Sequence, residues 1–198
     1  MPGTVFAIPD GEVRYVPGVF DAALADELFR NLRQGVAWRQ EEIMIFGQRR
    51  LVPRLVAWHG DPGADYRYSG VLHQPAPWTP DLLRIQAAVE ELSDWRFNSV
   101  LLNLYRDGRD GMGWHSDDEP ELGTEPVIAS VSLGATRRFC MRHRRRRKEV
   151  HSIDLEHGSL LLMRGSTQHE WLHSVPKTTR PVDERINLTF RRVSPASG

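Results

Sequence analysis

From residue 99 onward the chain consists of short apolar runs interleaved with polar residues, each ending at a turn signal. The runs cover 99–105, 127–133, 138–143, 150–155, 159–163 and 185–193, and pairs such as Asp107-Gly108 and His157-Gly158 separate them. Alternation with period two puts successive side chains on opposite faces of a strand, which argues against helix here. Many short strands with turns between them fold as a double sheet or a barrel. The expectation is an α+β chain, mostly β, with a double-stranded β-helix (jelly-roll) core.

Two helices precede these strands and should pack outside them. Asp21 can cap the first, whose apolar positions Ala22, Leu24, Ala25, Leu28, Phe29 and Leu32 recur at helical spacing before Gly35. Thr79-Pro80 opens the second, with Leu82, Leu83, Ile85, Val89 and Leu92 on its apolar side. Strand-like sequence at 43–46 and 51–58 lies between them, broken by Gly47, Pro53 and the turn at 60–63. A chain of 198 residues, 40% hydrophobic and 26% charged, suits one globular domain. No apolar run approaches the roughly 20 residues of a membrane span, and the start shows no basic-then-apolar signal. Cys140 is the single cysteine, which excludes an internal disulfide. These features predict a cytoplasmic protein, a monomer without a membrane partner.

Formal net charge is zero, but the charges are segregated. Nearly every charge in residues 107–125 is acidic, and residues 137–148 carry seven arginines and Lys148 with no acid among them. Such a basic block is either a footprint for phosphate backbones or a solvated hairpin tip.

The chemistry gathers at four places. In 185–191, Arg185, Asn187, Thr189 and Arg191 share one strand face opposite Ile186, Leu188 and Phe190. That polar face is either solvated or a seat for an acid, because guanidinium pairs with carboxylate through two charge-assisted bonds. Asn103 and Tyr105 share a face in the same way. His115-Ser116-Asp117 puts two ligand side chains on one side of an extended segment. With a distant histidine, His173 or its competitor His169, it would make the two-histidine, one-carboxylate set of non-heme Fe(II) oxygenases. A second such pair, His59-Gly60-Asp61, lies in a turn-rich context.

Several segments, in order, carry a resemblance. They are Phe46-Gly47, Val52-Pro53-Arg54, Tyr66-Arg67-Tyr68-Ser69-Gly70, Asn103-Leu104-Tyr105-Arg106-Asp107-Gly108 and His115-Ser116-Asp117-Asp118-Glu119. Ile128-Ala129-Ser130-Val131-Ser132-Leu133-Gly134, Leu155-Glu156-His157-Gly158-Ser159-Leu160 and Arg185-Ile186-Asn187-Leu188-Thr189-Phe190-Arg191 complete the set. Together they resemble the AlkB family of Fe(II)- and 2-oxoglutarate-dependent nucleic-acid dealkylating dioxygenases, close to the branch that repairs 1-methyladenine and 3-methylcytosine. The resemblance implies that His115, Asp117 and His173 hold Fe(II), with O2 as the other substrate and ascorbate as reductant in assays. It implies that Arg185, helped by Asn103 and Tyr105, binds the distal carboxylate of 2-oxoglutarate, and that Asn187, Thr189 and Arg191 complete the pocket. Asp118 would contact the damaged base, Tyr68 and His115 would sandwich its ring, Phe46 would fill the gap left by a flipped base, and Arg144 and Arg145 would grip phosphates. Residues 1–40 would then form an extension and helix, 41–77 a nucleotide-recognition lid, 78–96 a supporting helix and 97–194 the catalytic core. The partner would be alkylated DNA, with RNA as a second class. Ser116 departs from the family's strongest members, which carry arginine there. Two other readings use the same residues: a hydroxylase of a protein or small molecule, and a nucleic-acid binding module without turnover.

Overall fold

The computed structural model describes residues 3–45, 47–68 and 71–194. Its strands are β1 (Thr4–Phe6), β2 (Glu12–Val16), β3 (Glu42–Ile45), β4 (Gln48–Leu51), β5 (Leu55–Gly60), β6 (Tyr66–Tyr68) and β7 (Val71–His73). The series continues with β8 (Ser99–Tyr105), β9 (Met112–His115), β10 (Ile128–Gly134), β11 (Arg137–His143), β12 (Val150–Leu155), β13 (Ser159–Arg164), β14 (Trp171–Val175) and β15 (Arg185–Arg191). The helices are α1 (Ala22–Gly35), α2 (Pro80–Ser93) and the short α3 (Thr167–Glu170).

A seven-stranded sheet has the order β1-β2-β13-β10-β15-β8-β5, and a four-stranded sheet the order β12-β11-β14-β9. One face of the large sheet meets α1 and α2, burying Val100, Leu102, Leu104, Ile186, Leu188 and Phe190 against Leu28, Leu32, Leu82, Ile85 and Val89. Both helices start where the sequence predicts. The Asp21 carboxylate accepts from the Leu24 amide at 2.9 Å, and the Thr79 hydroxyl accepts from Leu82 at 3.4 Å ahead of Pro80. The other face of the large sheet packs on the small one through Tyr105, Ile128, Leu161 and Met163 against Phe139, Met141, Leu155 and Trp171. This is the mostly β, two-sheet core with outer helices expected from the alternation.

The core is wider than residues 97–194. Strand β2 pairs with β13, and β5 pairs along its length with β8, so both belong to the large sheet. Register explains β5: Val56 stands opposite Asn103 and Trp58 opposite Leu101. Among the described residues of 41–77, the hairpins β3–β4 and β6–β7, before and after β5 in sequence, form two-stranded sheets of their own.

Candidate active site

The polar face of β15 is buried, which rules out its reading as a solvated face. Arg185 is wholly enclosed, and Asn187, Thr189 and Arg191 are at most 8% exposed. The cause is the second sheet, which closes over this face. Tyr105 and Asn103 on β8 stand directly opposite Arg185 and Asn187, while Ser132 and Ser130 on β10 stand opposite Asn187 and Thr189. Three central strands thus present a polar ladder to a cavity also lined by His115, Asp117 and His173.

At one end of the cavity Arg185 donates through Nη2 to the Ser132 hydroxyl at 2.9 Å, and its guanidinium carbon lies 5.2 Å from the Tyr105 ring centre. Its Nε and Nη1 are buried and have no hydrogen-bond partner among the described residues. Burial pushes the Arg185 pKa down to about 10, so it stays a cation at neutral pH. An enclosed cation with two unused donors is the counterpart of a carboxylate. Asn103 accepts from Arg54 Nε through Oδ1 at 2.7 Å, which leaves its amide N–H groups as donors. Asn187 is otherwise engaged: it donates to Ser130 and Val131 and accepts from Thr189 (2.7, 3.1 and 3.1 Å), so it braces the ladder.

At the other end His115 ends β9, Asp117 follows it in extended chain, and His173 lies on β14 directly opposite His115. The register shifts between His173 and Val175, an irregularity of the kind found beside active sites. The three potential ligand atoms lie within 4.8 Å of one another, the only such His/Cys/Asp/Glu group among the described residues. His115 Nδ1 donates to the Gly113 carbonyl at 2.9 Å, which leaves Nε2 for a metal. His173 stacks on Phe139 and meets the edge of His115. Asp117 receives Arg191 Nη2 on Oδ1 at 2.6 Å, while Oδ2 faces His173 Nε2 at 4.0 Å. Burial alone would raise the Asp117 pKa, but the charge of Arg191, aided by His173 and His115, holds it below the usual carboxylate range. Two imidazole nitrogens and one anionic oxygen, beside a buried cation for a second acid, fit Fe(II) and 2-oxoglutarate.

The competing ligands are occupied elsewhere. His59 bonds the Pro77 carbonyl at 2.7 Å, Asp61 accepts from the Trp78 indole at 2.7 Å, and His169 bonds the Thr124 carbonyl. Two supporting residues carry no role in the sequence reading. Arg54 orients Asn103 from 49 residues away, and Gln168 on α3 accepts from the Asp117 backbone N–H at 3.0 Å, 51 residues away.

The basic run divides once its partners are known. Arg137 is buried and donates to the carbonyls of Asp107, Asp110 and Pro176. Arg138 pairs with Asp154, and Arg142 lies 4.4 Å above the Trp114 ring. Arg145 pairs with Glu170 at 2.7 Å and Arg146 with Asp10 at 3.1 Å. Arg144 donates to the Ser116 hydroxyl and, at 2.8 Å, to Asp118. A guanidinium therefore reaches Ser116 from the hairpin. Arg147 and Lys148 are exposed and have no ion pair among the described residues. Phe46 lies outside the described residues, as does the Tyr68 side chain.

The metal-free site should make stability fall with acid. Burial, then the neighbouring His115, pushes His173 down to about 3 from 6.5. Above pH 6.5 neither folded nor unfolded chain is protonated there. Between pH 6.5 and 3 the unfolded chain binds a proton that the folded chain refuses, which favours unfolding. Chelator-treated protein should melt lower at about pH 5 than at about pH 7, and His173→Asn should reduce that drop. Equal drops in both proteins would remove His173 as the cause.

Comparison with known proteins agrees with this geometry. A family model described as the 2OG-Fe(II) oxygenase superfamily matches residues 12–191. The chain is 43% identical over 187 residues to the mouse DNA oxidative demethylase ALKBH2, covering 89% of this chain and 78% of that one. It is 44% identical over 188 residues to the bovine alpha-ketoglutarate-dependent dioxygenase alkB homolog 3, covering 90% of this chain. It spans about 65% of that relative's length. Among solved structures, OsALKBH1 superposes with a TM-score of 0.67 at 16% identity over 96% of this chain and all of the other, a likeness of fold. With the His115–Asp117–His173 group and the enclosed Arg185 in place, the chain belongs to the 2OG-Fe(II) oxygenase superfamily, and within it to the AlkB family.

Proposed function

We propose that the chain oxidatively dealkylates damaged nucleic-acid bases, alkylated DNA first and RNA second, with 1-methyladenine and 3-methylcytosine as typical lesions. The observation that carries this reading is the buried Arg185 guanidinium, with Nε and Nη1 unused among the described residues, facing the same cavity as His115, Asp117 and His173. The ALKBH2 relatives, named DNA oxidative demethylases, supply the substrate class.

In this reading His115, Asp117 and His173 hold Fe(II), and Arg185, with Asn103 and Tyr105, holds the distal carboxylate of 2-oxoglutarate. Bound together, Fe(II), 2-oxoglutarate and O2 supply an oxidant that hydroxylates the alkyl carbon, which then leaves as an aldehyde. Arg191 keeps Asp117 ionised and fixes its orientation through Oδ1. Thr189 and Asn187 keep the floor of the pocket in register. Asp118, partly exposed and next in sequence to the candidate ligand Asp117, would contact the alkylated base. The hairpins of 41–77 act as the lid, with Tyr68 stacking the base and Phe46 replacing it in a duplex. Action as a cytoplasmic monomer completes the reading, and the lone Cys140 suits a reducing compartment.

Succinate formation measured with and without a methylated oligonucleotide tests the function. Strong stimulation together with mass-spectrometric loss of the methyl group is the expected result. Succinate formation indifferent to every oligonucleotide would favour a protein or small-molecule hydroxylase.

The basic loop should contact phosphates most freely through Arg147 and Lys148, since Arg144 and Arg145 already share their charge with Asp118 and Glu170. An Arg147→Gln, Lys148→Gln double variant should flatten the dependence of log affinity on log salt by up to about two units, about one per lost contact. An unchanged slope would leave the loop tip as a solvated turn.

A further inference from the structure

Arg144 joins the basic hairpin to the segment that carries a metal ligand. Its Nη2 donates both to Ser116 and to Asp118, the two residues flanking Asp117. Its backbone is fixed as well. The Arg144 N–H donates to the Glu170 carbonyl at 2.8 Å, and the next two N–H groups donate to Nδ1 of the buried His143 at 3.1 and 3.0 Å. A held loop therefore delivers this guanidinium to a defined place. The pair is only partly covered, with side-chain exposures of 37% for Arg144 and 42% for Asp118, so an arriving base can reach it.

We infer that Arg144 sets the discrimination between cationic and neutral lesions by cancelling the charge of Asp118, the partly exposed neighbour of the candidate ligand Asp117. The inference rests on the proposed base-dealkylating reading and adds a specificity residue to it. Methylation at adenine N1 or cytosine N3 leaves the base a cation, whereas an etheno bridge leaves it neutral. A lone Asp118 carboxylate would attract the first and ignore the second. With Arg144 at 2.8 Å the local charge sums to zero, so neutral lesions compete on nearly equal terms. Removing Arg144 would expose the anion and tilt the site toward cations.

The experiment compares oligonucleotides carrying 1-methyladenine or 1,N6-ethenoadenine at one position. Two ratios are read: kcat/KM for the two lesions with loaded enzyme, and Kd for the two with metal-free protein by fluorescence anisotropy. Phosphate contacts are common to both oligonucleotides and cancel in each ratio. Arg144→Gln should raise the preference for 1-methyladenine at least about threefold in both ratios, as expected for losing one partly exposed charge partner. The shift should shrink at high salt. Arg144→Lys keeps the charge and should stay within about twofold of the wild type. Arg145→Gln removes an equal charge from the same loop but pairs with Glu170, so it should leave the ratios unmoved. Unmoved or lowered ratios in Arg144→Gln, or an equal rise in Arg145→Gln, would overturn the inference while the dealkylase reading stood. A wild-type protein that neither binds nor converts either lesion would overturn both.

Discussion

An Arg185→Ala variant should need at least about 30-fold more 2-oxoglutarate for half-maximal turnover, with iron binding retained. The carboxylate it binds would be enclosed by the same two sheets that enclose Arg185. A buried charge whose partner is truncated loses on the order of 2–5 kcal/mol, and about 1.4 kcal/mol is a factor of ten. Ser132 and Tyr105 remain in the variant, but neither carries a positive charge to replace the guanidinium. Iron should be unaffected, because His115, Asp117 and His173 draw their support from Gly113, Arg191, Gln168 and Phe139. Succinate formation titrated against 2-oxoglutarate, with metal content measured alongside, reads both quantities. An unchanged half-saturation point would remove Arg185 from the cosubstrate site.

Asp117→Asn should have two large effects at once. It removes the only carboxylate of the ligand group, so iron affinity should fall by more than the roughly 10- to 100-fold that loss of an outer partner costs. It also strips Arg191 of its anion at 2.6 Å, where both side chains are nearly inaccessible. Breaking a buried pair from one side costs about 3–5 kcal/mol. For a chain of this length that lowers Tm by roughly 6–20 °C. Arg191→Met separates the two effects: it should weaken iron binding only within the range for an outer partner, as measured by metal titration. If the two variants lost iron affinity equally, Asp117 would not be acting as a ligand.

Much of this site was legible because strands write their faces into the sequence. Alternation in 185–191 and 99–105 sorted Arg185, Asn187, Asn103 and Tyr105 onto single faces, and the register sets those faces side by side. Alternation cannot tell whether a polar face meets water or a second sheet. That depends on β9, β11 and β14 closing over it from elsewhere in the chain. The choice between His115-x-Asp117 and His59-x-Asp61 had the same origin, since only tertiary structure brings His173 to one pair and ties the other to Pro77 and Trp78. The roles of Arg54, though it stands in a resembling segment, and of Gln168 were not legible, because a single hydrogen bond across some fifty residues has no periodicity. The basic run looked uniform because its partners Asp10, Asp118 and Glu170 lie far from it in sequence. β1, at three residues, is too short to show a pattern.

Strand β15 comes late in the chain yet sits between β10 and β8, near the middle of the large sheet. A ribosome must therefore deliver residue 191 before that sheet can become continuous. Until then the nascent chain already holds His115, Asp117 and His173 but lacks Arg185 and Arg191. An unfinished polypeptide would hold the three candidate ligand side chains without the buried cation that shares their cavity. Stalling carries its own hazard, because β8 and β10 would then present facing backbone edges with nothing between them, a template for pairing with another chain.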